Sequence, residues 1–582
     1  MSHLKHFAVG NFKVFKELTH FNLAPITILT GKNNSGKSSL IKSLLVLRNS
    51  TVDVKNIYRG YDFEQWKFDR SELKLGSPDE VFNNEQKSKR ITFELSLNIP
   101  MLPNGIISLV YSIEDNDETF NLVAFKIINN GESIVEFEKN LDNLNSFKDL
   151  KTQFIKIDFQ YFINQIKEFV SDSSSKIDCQ EIGKKTGLYK FPNRISDKPV
   201  LELIELLKSH LVILKVDNND IHSEIIDSKR EKVDISNENL INVQNQIFDM
   251  YKNGFILNDA LGWMSCINSF YLNALNLNDK ILEIFNQDEF LVKNTSTPYR
   301  EKMHYYTFQG KTLFIEPDLQ SFFDYINTFI LKIFDELQEE CQNITYLPSI
   351  RARNERLYQV SKEGYAIQEI DQKAFEGIDF TNTVINQFYL DALKDFEIGD
   401  DIEIKTIQRT ATEITIIRNG RRMLLSDLGF GYAQILPIFF NILIIATNYN
   451  LWRSTKKSNG TSDHCPIILI EEPESNLHPD FQSKLADLFI KATNLFGIQF
   501  IIETHSEYLI RRLQYLTAKT DIKPEDISIY YFNNPEKIPH GEKQIFKIEI
   551  RPDGIFKQDF GSGFYDQAAN STFDLFRLIG DN

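Results

Sequence analysis

The spacing of apolar residues divides the chain into two ends rich in strands and helices and a middle without a legible motif. Near the start, a β-type run at residues 26–30 leads into a glycine, and residues 38–47 carry apolar side chains at helical spacing. This pattern predicts a strand, a loop and a helix, with another strand within residues 6–14. Between residues 90 and 138, β-type runs broken by Asn-Gly and Asp-Asn turns predict further strands.

Residues 146–340 contain helix-length segments joined by asparagine-rich connections, and they lack sustained heptads. We expect a mainly helical insertion or arm there, without a long coiled coil. After residue 340, Asn419-Gly420 between two β-type runs predicts a hairpin. Strands are predicted at residues 344–348, 467–470 and 498–502, and helices from about 432, at 480–494 and from about 506. We therefore predict an α/β protein in three parts, namely residues 1–145, 146–340 and 341–582.

Residues 31–38 match the pattern G-x-x-x-x-G-K-[ST], which is typical of a phosphate-binding loop. Gly31 and Gly36 let backbone N–H groups surround phosphate, Lys37 reaches the β- and γ-phosphates, and Ser38 is a predicted Mg²⁺ ligand. The N-terminus of the following helix adds its positive dipole end. An ordinary Gly/Asn turn is the alternative, and the strand–loop–helix context disfavours it. The other predicted nucleotide-binding residues of this loop are Asn33, Asn34, Ser35 and Ser39.

The apolar run at residues 467–470 ends in two carboxylates, Glu471 and Glu472. One carboxylate at such a strand end can coordinate Mg²⁺, directly or through water, and its neighbour can act as general base for the attacking water. We assign Glu471 to the metal and Glu472 to the base. A solvated acidic loop after a strand is the alternative, which the phosphate loop in the same chain makes improbable.

A histidine follows the third apolar run, in the sequence Thr504-His505-Ser506-Glu507. At a strand tip beside the nucleotide, His505 is predicted to bond the γ-phosphate and to sense hydrolysis. Thr504 and Glu507 also fit a T-x-x-E capping box for the next helix, in which His505 would only occupy an interior position. The two interpretations are compatible.

The segment 425–434 leads from the hairpin into a helix and contains Gly429 and Gly431. Free N–H groups at a glycine-rich helix start form a second anion site, although a glycine turn that merely ends the hairpin is the alternative. Two such sites in one chain need not hold two nucleotides. One of them can close over the nucleotide of a partner subunit.

The net charge of −16 argues against a surface that binds nucleic acid indiscriminately, while it leaves a local basic groove open. Arg351, Arg353 and Arg356 form a basic cluster that would contact phosphate or nucleic acid, or else form a surface ion-pair face. The four cysteines are far apart, which indicates neither a disulfide framework nor a zinc site. The first residues lack an apolar signal-peptide core, and the apolar run at 433–446 is shorter than a membrane span. We therefore expect a cytoplasmic protein without a membrane partner.

The order of these motifs resembles an ABC-class ATPase head of the RecF/SMC-like group and, more closely, the prokaryotic AAA ATPases of the OLD and PtuA-type anti-phage defence families. The resemblance covers roughly residues 1–100 and 340–570. It is carried by four segments, namely N-F-K-V-F at 11–15, Y-L-P-S-I-R at 346–351, E-E-P-E-S-N-L-H-P at 471–479 and E-T-H-S at 503–506.

The resemblance implies a RecA-like core with an antiparallel β subdomain, and two heads that sandwich two ATP molecules with Mg²⁺. Each site would be completed by the signature loop of the other subunit. Gly429 stands where the family signature L-S-x-G-Q has its serine, so fast hydrolysis is in doubt. The stretch after His505 is too short for the TOPRIM nuclease of OLD- and Gabija-type proteins, and residues 553–566 resemble a small C-terminal extension of some defence ATPases.

We accordingly expect an ATPase that forms a homodimer or higher oligomer around ATP and controls a separate effector, such as a nuclease or a toxin-like protein, in phage defence. The alternative is a DNA-repair or chromosome-associated ATPase of the RecF/SMC type that acts on nucleic acid. Missing coiled-coil arms and the acidic balance count against this alternative. A transporter subunit is disfavoured by the long insertion, and a P-loop kinase by the second glycine-rich helix start.

Overall fold

The structure is a computed structural model, which describes residues 3–50, 65–67, 75–76, 80–99, 102–113, 119–138, 154–157, 161, 210–217, 220–227, 305–308, 311–314, 329–330, 332–334, 336–351, 358–359, 372–407, 411–456, 465–538 and 543–561. The α-helices with defined bounds in these parts are α1 (Lys37–Ser50), α2 (Gln372–Glu376), α3 (Thr383–Asp395), α4 (Phe430–Lys456), α5 (Pro479–Phe496) and α6 (Glu507–Ala518), and residues 336–342 are also helical. Short 3₁₀ turns are Leu425–Asp427, Pro524–Asp526 and Pro535–Lys537.

The predicted phosphate loop follows an inner strand of a six-stranded sheet. In spatial order, its strands are β14 (Ile344–Leu347), β19 (Ile467–Glu471), β20 (Gln499–Glu503), β3 (Ile26–Gly31), β21 (Ile527–Phe532) and β22 (Ile545–Ile548). All neighbours run parallel except β21 and β22. Strand β3 is buried along its whole length, as expected for a parallel strand covered on both faces. The predicted strands at 26–30, 344–348, 467–470 and 498–502 are confirmed within one or two residues.

Alternation of side chains along these strands separates two apolar cores. Leu29, Leu469 and Ile501 point to one face, where they pack with α1 and the second sheet. Ile28, Ile470 and Ile502 point to the opposite face and pack with α3, α4, α5 and α6. Because successive residues of a strand face opposite sides, the last residue of each strand also has a fixed side. The alternation therefore determines which face of the sheet the carboxylates at the ends of β19 and β20 occupy.

The second sheet is antiparallel and has eight strands, which confirms the predicted β subdomain. It runs in the order β2 (Thr19–Asn22), β1 (His6–Gly10), β5 (Arg90–Ile99), β6 (Leu102–Ile113), β7 (Thr119–Asn129), β8 (Glu132–Glu138) and β9 (Phe154–Ile157), with β4 (Gln65–Lys67) paired to β7. Strand β9 lies beyond residue 145, so this sheet extends past the predicted domain boundary.

Only part of the predicted insertion at 146–340 lies within the described residues. Besides β9, that part holds two antiparallel hairpins, formed by β10 (His210–Asp217) with β11 (Asp220–Asp227) and by β12 (Tyr305–Phe308) with β13 (Lys311–Phe314). Helical residues from 329 onward belong to the head, because Phe334 packs edge-to-face on Phe125 in its core. The rest of the insertion lies outside the described residues, so its mainly helical character stays a prediction.

The Asn419-Gly420 hairpin is confirmed and leads to the long helix α4. Strands β17 (Ala411–Arg418) and β18 (Arg421–Leu424) pair through Arg418 and Arg421, and both turn residues have positive φ, 50° and 73°. The same sheet contains β15 (Tyr358–Gln359) and β16 (Asp401–Ile407). The segment Phe430–Tyr449 of α4 is long and apolar enough to cross a membrane, but 67% of its most apolar 18-residue stretch is buried within the protein, as expected for a core helix.

Candidate functional site

The loop between β3 and α1 has the backbone that a phosphate cradle requires. Gly31 has φ +131°, and a Cβ added there would lie 2.2 Å from the carbonyl oxygen of Phe532 on β21. Gly36 has φ +107°, and its added Cβ would lie 2.2 Å from Cγ2 of Val14. Neither position accepts a side chain without a shift of the loop, so both glycines are needed for its shape.

The remaining loop residues fit a bound nucleotide phosphate. Asn33 and Asn34 are exposed, and Asn34 adopts a left-handed φ of 58°. The Ser35 hydroxyl is buried and has no hydrogen-bond partner among the described residues. This hydroxyl can therefore donate to a bound anion, which the N–H groups of the loop and the N-terminus of α1 also favour. Ser39 donates its backbone N–H to Gly36 and so anchors the start of the helix.

Lys37 is the first residue of α1, and its side chain folds back over the loop. Its Nζ donates to the carbonyl oxygens of Lys32 at 2.8 Å and Gly31 at 3.3 Å, and it lies 3.9 Å from Oε1 of Glu503. Burial lowers the pKa of Lys37, while Glu503 and two further carboxylates act to raise it. The ammonium group therefore lies at the place where a phosphate would need a positive charge.

Glu503, the last residue of β20, is a site residue that we did not predict. Both of its carboxylate oxygens accept from the Ser38 hydroxyl, at 2.8 and 3.1 Å. Burial raises the pKa of Glu503 to about 7, against the opposing effects of Ser38 and Lys37. In the sequence its signal is only that of a polar residue ending an apolar run. In the structure Glu503 is in register with Glu471 on the adjacent parallel strand, so both carboxylates reach the same edge and face of the sheet.

Glu471 and Glu472 lie where the apolar strand β19 ends, but they face different surroundings. The Glu471 carboxylate bonds to Tyr346, and burial raises its pKa. In contrast, Glu472 has a left-handed φ of 44°, and its Oε2 accepts from the Ser475 hydroxyl at 3.1 Å. A positive φ is uncommon for a residue of this type and is often found at functional sites. The carboxylate in contact with Ser38 is therefore that of Glu503, with Glu471 one strand away.

Arg351 neither forms a surface ion-pair face nor reaches phosphate or nucleic acid, because its side chain is fully buried. Its guanidinium donates to the carbonyl oxygens of Glu471 at 2.5 Å, Glu472 at 2.8 Å and Gln434 at 3.3 Å, and also to Pro348. Burial lowers the pKa of Arg351 to about 10, which leaves it charged at neutral pH. Arg351 thus ties the loop after β19 to the start of α4. Arg353 and Arg356 lie outside the described residues.

His505 lies directly after β20 with its side chain exposed, and its backbone N–H donates to the buried carboxylate of Glu474 at 2.6 Å. Partial desolvation of the imidazole and the charge of Lys37 lower the pKa of His505, opposed by Glu472. The predicted capping box was wrong by two residues. Ser506 is the N-cap of α6, since its hydroxyl accepts from the N–H of Leu509, whereas Thr504 bonds to Ser506.

Gly429 and Gly431 lie at the N-terminus of α4, as predicted. Gly429 is exposed, and a Cβ added there would meet nothing within 4 Å. Gly431 is closely packed, because its added Cβ would lie 3.1 Å from the carbonyl oxygen of Asn476. The helix start therefore rests on the loop between β19 and α5 and presents Gly429 to the exterior.

Comparisons with known proteins agree with this geometry. Residues 3–510 match the family described as AAA ATPase domain, and residues 522–575 match one described as protein of unknown function, DUF3696. No curated protein matches the chain. Similar solved structures include the Smc head domain with an extended coiled coil from Pyrococcus furiosus, bound to the C-terminal domain of ScpA. The match has 11% identity and a TM-score of 0.32, and it covers 99% of this chain and 100% of that chain. The SMC head domain from Thermotoga maritima has 9% identity and TM-score 0.31, covering 94% and 100%.

The family match extends over most of the 582 residues and includes the phosphate loop, the carboxylates after β19 and the histidine after β20. The parallel sheet with its phosphate loop and the attached antiparallel sheet form a P-loop fold of the ABC type, as predicted. Nucleotide binding and ATP hydrolysis follow from the family, with the loop at 31–38 as the phosphate site that fits. This chain belongs to the AAA ATPase domain family.

Proposed function

We propose that the chain dimerises around two ATP molecules and that this ATP-dependent dimer controls a separate effector protein in anti-phage defence. The observation that supports dimerisation is the exposed, unobstructed helix start at Gly429, which is held in place by Arg351 and by the packing of Gly431 on Asn476. Backbone N–H groups there would complete the nucleotide site of the partner subunit. The defence role rests on the resemblance of the segment 471–479 to that of the OLD and PtuA-type proteins.

In this proposal, Lys37 and the loop N–H groups bind the β- and γ-phosphates, and Ser38 and Glu471 hold Mg²⁺ with Glu503 beside them. A hydroxyl and carboxylates are the hard oxygen ligands that Mg²⁺ prefers, so the residues fit this ion. Mg²⁺, when bound, offsets negative charge on the phosphate oxygens. Glu472 accepts the proton of the attacking water, and His505 contacts the γ-phosphate through its neutral ring.

A Gly429→Phe variant tests the dimer by complementation. Since an added side chain meets open space, the variant should fold normally, yet it should not complete the partner's site and should lose at least about 10-fold in turnover. Lys37→Ala should abolish ATP binding at its own site. Mixing the two variants should restore part of the activity, because one dimer arrangement then has an intact composite site. ATP turnover of each variant and of the mixture is the measurement.

Gly420→Ala at the hairpin turn is the matched control, since its added Cβ also meets nothing within 4 Å, although its positive φ makes a small loss of stability expected. Its turnover should equal that of the wild type. If the mixture of Gly429→Phe and Lys37→Ala is as inactive as its components, each site is complete within one chain and the proposed dimer is wrong.

Glu503→Gln should stabilise the protein in the absence of ATP and metal, yet weaken its binding of Mg²⁺. The raised pKa means that the folded state binds the Glu503 proton more tightly than the unfolded chain does. The wild type therefore has its full stability below about pH 4.5, where the side chain is neutral like glutamine, and loses stability as pH rises through about 7. Without ATP and metal, the variant should exceed the wild type in stability by about 3 kcal/mol or less at pH 8, with no difference below pH 4.5. It should also need about 10-fold more Mg²⁺ for ATP binding.

Thermal unfolding in EDTA at the two pH values and Mg²⁺ titration of ATP binding are the two measurements. Glu507→Gln is the control, because Glu507 lies on α6 in a surface pair with Arg511 and should change neither quantity. An unchanged Mg²⁺ requirement in Glu503→Gln would leave Glu471 as the metal-site carboxylate and remove Glu503 from the site.

Control of an effector and action on DNA predict different stimulation of the ATPase. Turnover should be insensitive to duplex DNA, single-stranded DNA and RNA added in turn if the chain controls a protein effector. Stimulation by one of the nucleic acids would favour the DNA-repair or chromosome-associated alternative. Co-purification from the native host would then identify the effector or the nucleic acid that travels with the chain.

A further inference from the structure

Three metal-ligating side chains meet on the antiparallel sheet, among residues that the ATPase site does not use. His6 lies on β1, His20 on β2 and Glu94 on β5, and one ligand atom of each lies within 4.8 Å of the others. His20 Nδ1 is 3.4 Å from His6 Nε2 and 3.9 Å from Oε2 of Glu94. Two imidazoles and a carboxylate form a ligand set that zinc uses, with bond lengths of about 2.0–2.2 Å.

The strand pairing fixes this arrangement. Ala8 on β1 is in register with both His20 and Glu94, and His6 lies two residues earlier on the same face of β1. The buried Ala8 methyl group is too small to separate the three larger side chains around it. The backbone therefore brings the ligands together before any ion binds, which lowers the entropy that binding would otherwise lose.

A second observation concerns the orientation of the His6 ring. The Asn22 side chain hydrogen-bonds His6, and Asn22 is itself anchored because its backbone N–H and carbonyl both bond the Tyr530 hydroxyl, at 2.6 and 3.2 Å. Side-chain partners of this kind hold metal-binding histidines in a fixed ring orientation. Tyr530 lies on β21, so this contact links the cluster to the nucleotide-binding sheet.

We propose that His6, His20 and Glu94 bind one divalent transition-metal ion of the zinc class, which braces the edge of the antiparallel sheet against the core. Glu94 is mostly buried and His20 is half exposed, so the ion would have access from solvent and keep a coordination position for water. The site is separate from the phosphate loop, and its role would be structural.

The test is Zn²⁺ binding to the full chain, measured by competition with a chromogenic chelator in excess Mg²⁺, which occupies oxygen-only sites. One Zn²⁺ per chain is expected. His20→Ala and Glu94→Gln should each weaken binding at least about 10-fold, and Asn22→Ala about 10–100-fold. Glu85→Gln, which removes an exposed carboxylate paired with Lys16, is the matched control and should bind like the wild type.

Two readouts besides affinity distinguish the site from weak surface binding. Co²⁺ should give the visible absorption of a four-coordinate site in the wild type but not in His20→Ala, and Zn²⁺ should raise the melting temperature of the wild type and of Glu85→Gln but not that of His20→Ala. Equal Zn²⁺ affinity in the wild type, His20→Ala and Glu94→Gln would overturn the proposal. So would the absence of stoichiometric binding by the wild type.

Discussion

Glu472→Gln should bind ATP with unchanged affinity and turn it over about 10²–10⁴-fold more slowly than the wild type. Glutamine keeps the shape of the side chain and an oxygen that can accept from the Ser475 hydroxyl, but it cannot take a proton from water. The backbone of residue 472 keeps its two hydrogen bonds: its N–H donates to the Glu503 carbonyl, and its carbonyl accepts from the Arg351 guanidinium. Only the basic group is removed, so ATP binding and single-turnover rate are the quantities to compare.

The same variant should accumulate as a dimer in ATP and Mg²⁺, because the nucleotide that holds the two subunits together is no longer consumed. Light scattering with and without nucleotide measures this change in mass. The double variant Glu472→Gln with Lys37→Ala is the control, since it cannot bind ATP and should stay monomeric. A Glu472→Gln protein that remains monomeric with saturating ATP and Mg²⁺ would contradict the two-subunit arrangement.

Local sequence patterns were sufficient for most of the fold around the nucleotide. The strand β3 and helix α1 follow from apolar spacing on either side of Gly31 and Gly36, whose positive φ values explain why glycine is required. Asn419-Gly420 specifies its hairpin for the same reason. Such features depend on a few adjacent residues, which is why they can be predicted without knowledge of the tertiary structure.

Residues whose roles depend on contacts distant in sequence could not be predicted. Glu503 contacts Ser38 across 465 positions, and its pattern in the sequence is only that of a polar residue ending a strand. The sequence places Arg351 in a basic cluster, whereas its hydrogen-bond partners are backbone carbonyls, which carry no side-chain signal. Ser506 rather than Thr504 caps α6, because the helix begins at Glu507 and the Thr504 hydroxyl instead accepts from the backbone N–H of Ser506.

Arg351→Met should destabilise the protein by about 3 kcal/mol or more, because several buried carbonyl oxygens lose their donor and the nearby carboxylates lose a buried positive charge. Arg351→Lys is the more informative change. Lysine keeps the charge, but its single nitrogen cannot reproduce the planar set of donors that joins Gln434 to Glu471 and Glu472. The lysine variant should therefore fold and bind ATP while its turnover falls at least about 10-fold.

The reason lies in what the guanidinium connects. Gln434 belongs to the helix whose start, at Gly429, would meet the partner in the proposed dimer, whereas the carbonyls of Glu471 and Glu472 belong to the loop that carries the proposed base. A partner that contacts the start of α4 would thus influence the loop after β19 through Arg351. Arg351→Lys should therefore uncouple ATP-dependent dimerisation from hydrolysis. Light scattering with ATP, ATP affinity, turnover and denaturant unfolding together test this, with Arg512→Lys in the surface pair with Asp487 as the control. If Arg351→Lys lost stability and ATP affinity as severely as Arg351→Met, Arg351 would serve only to hold the fold together.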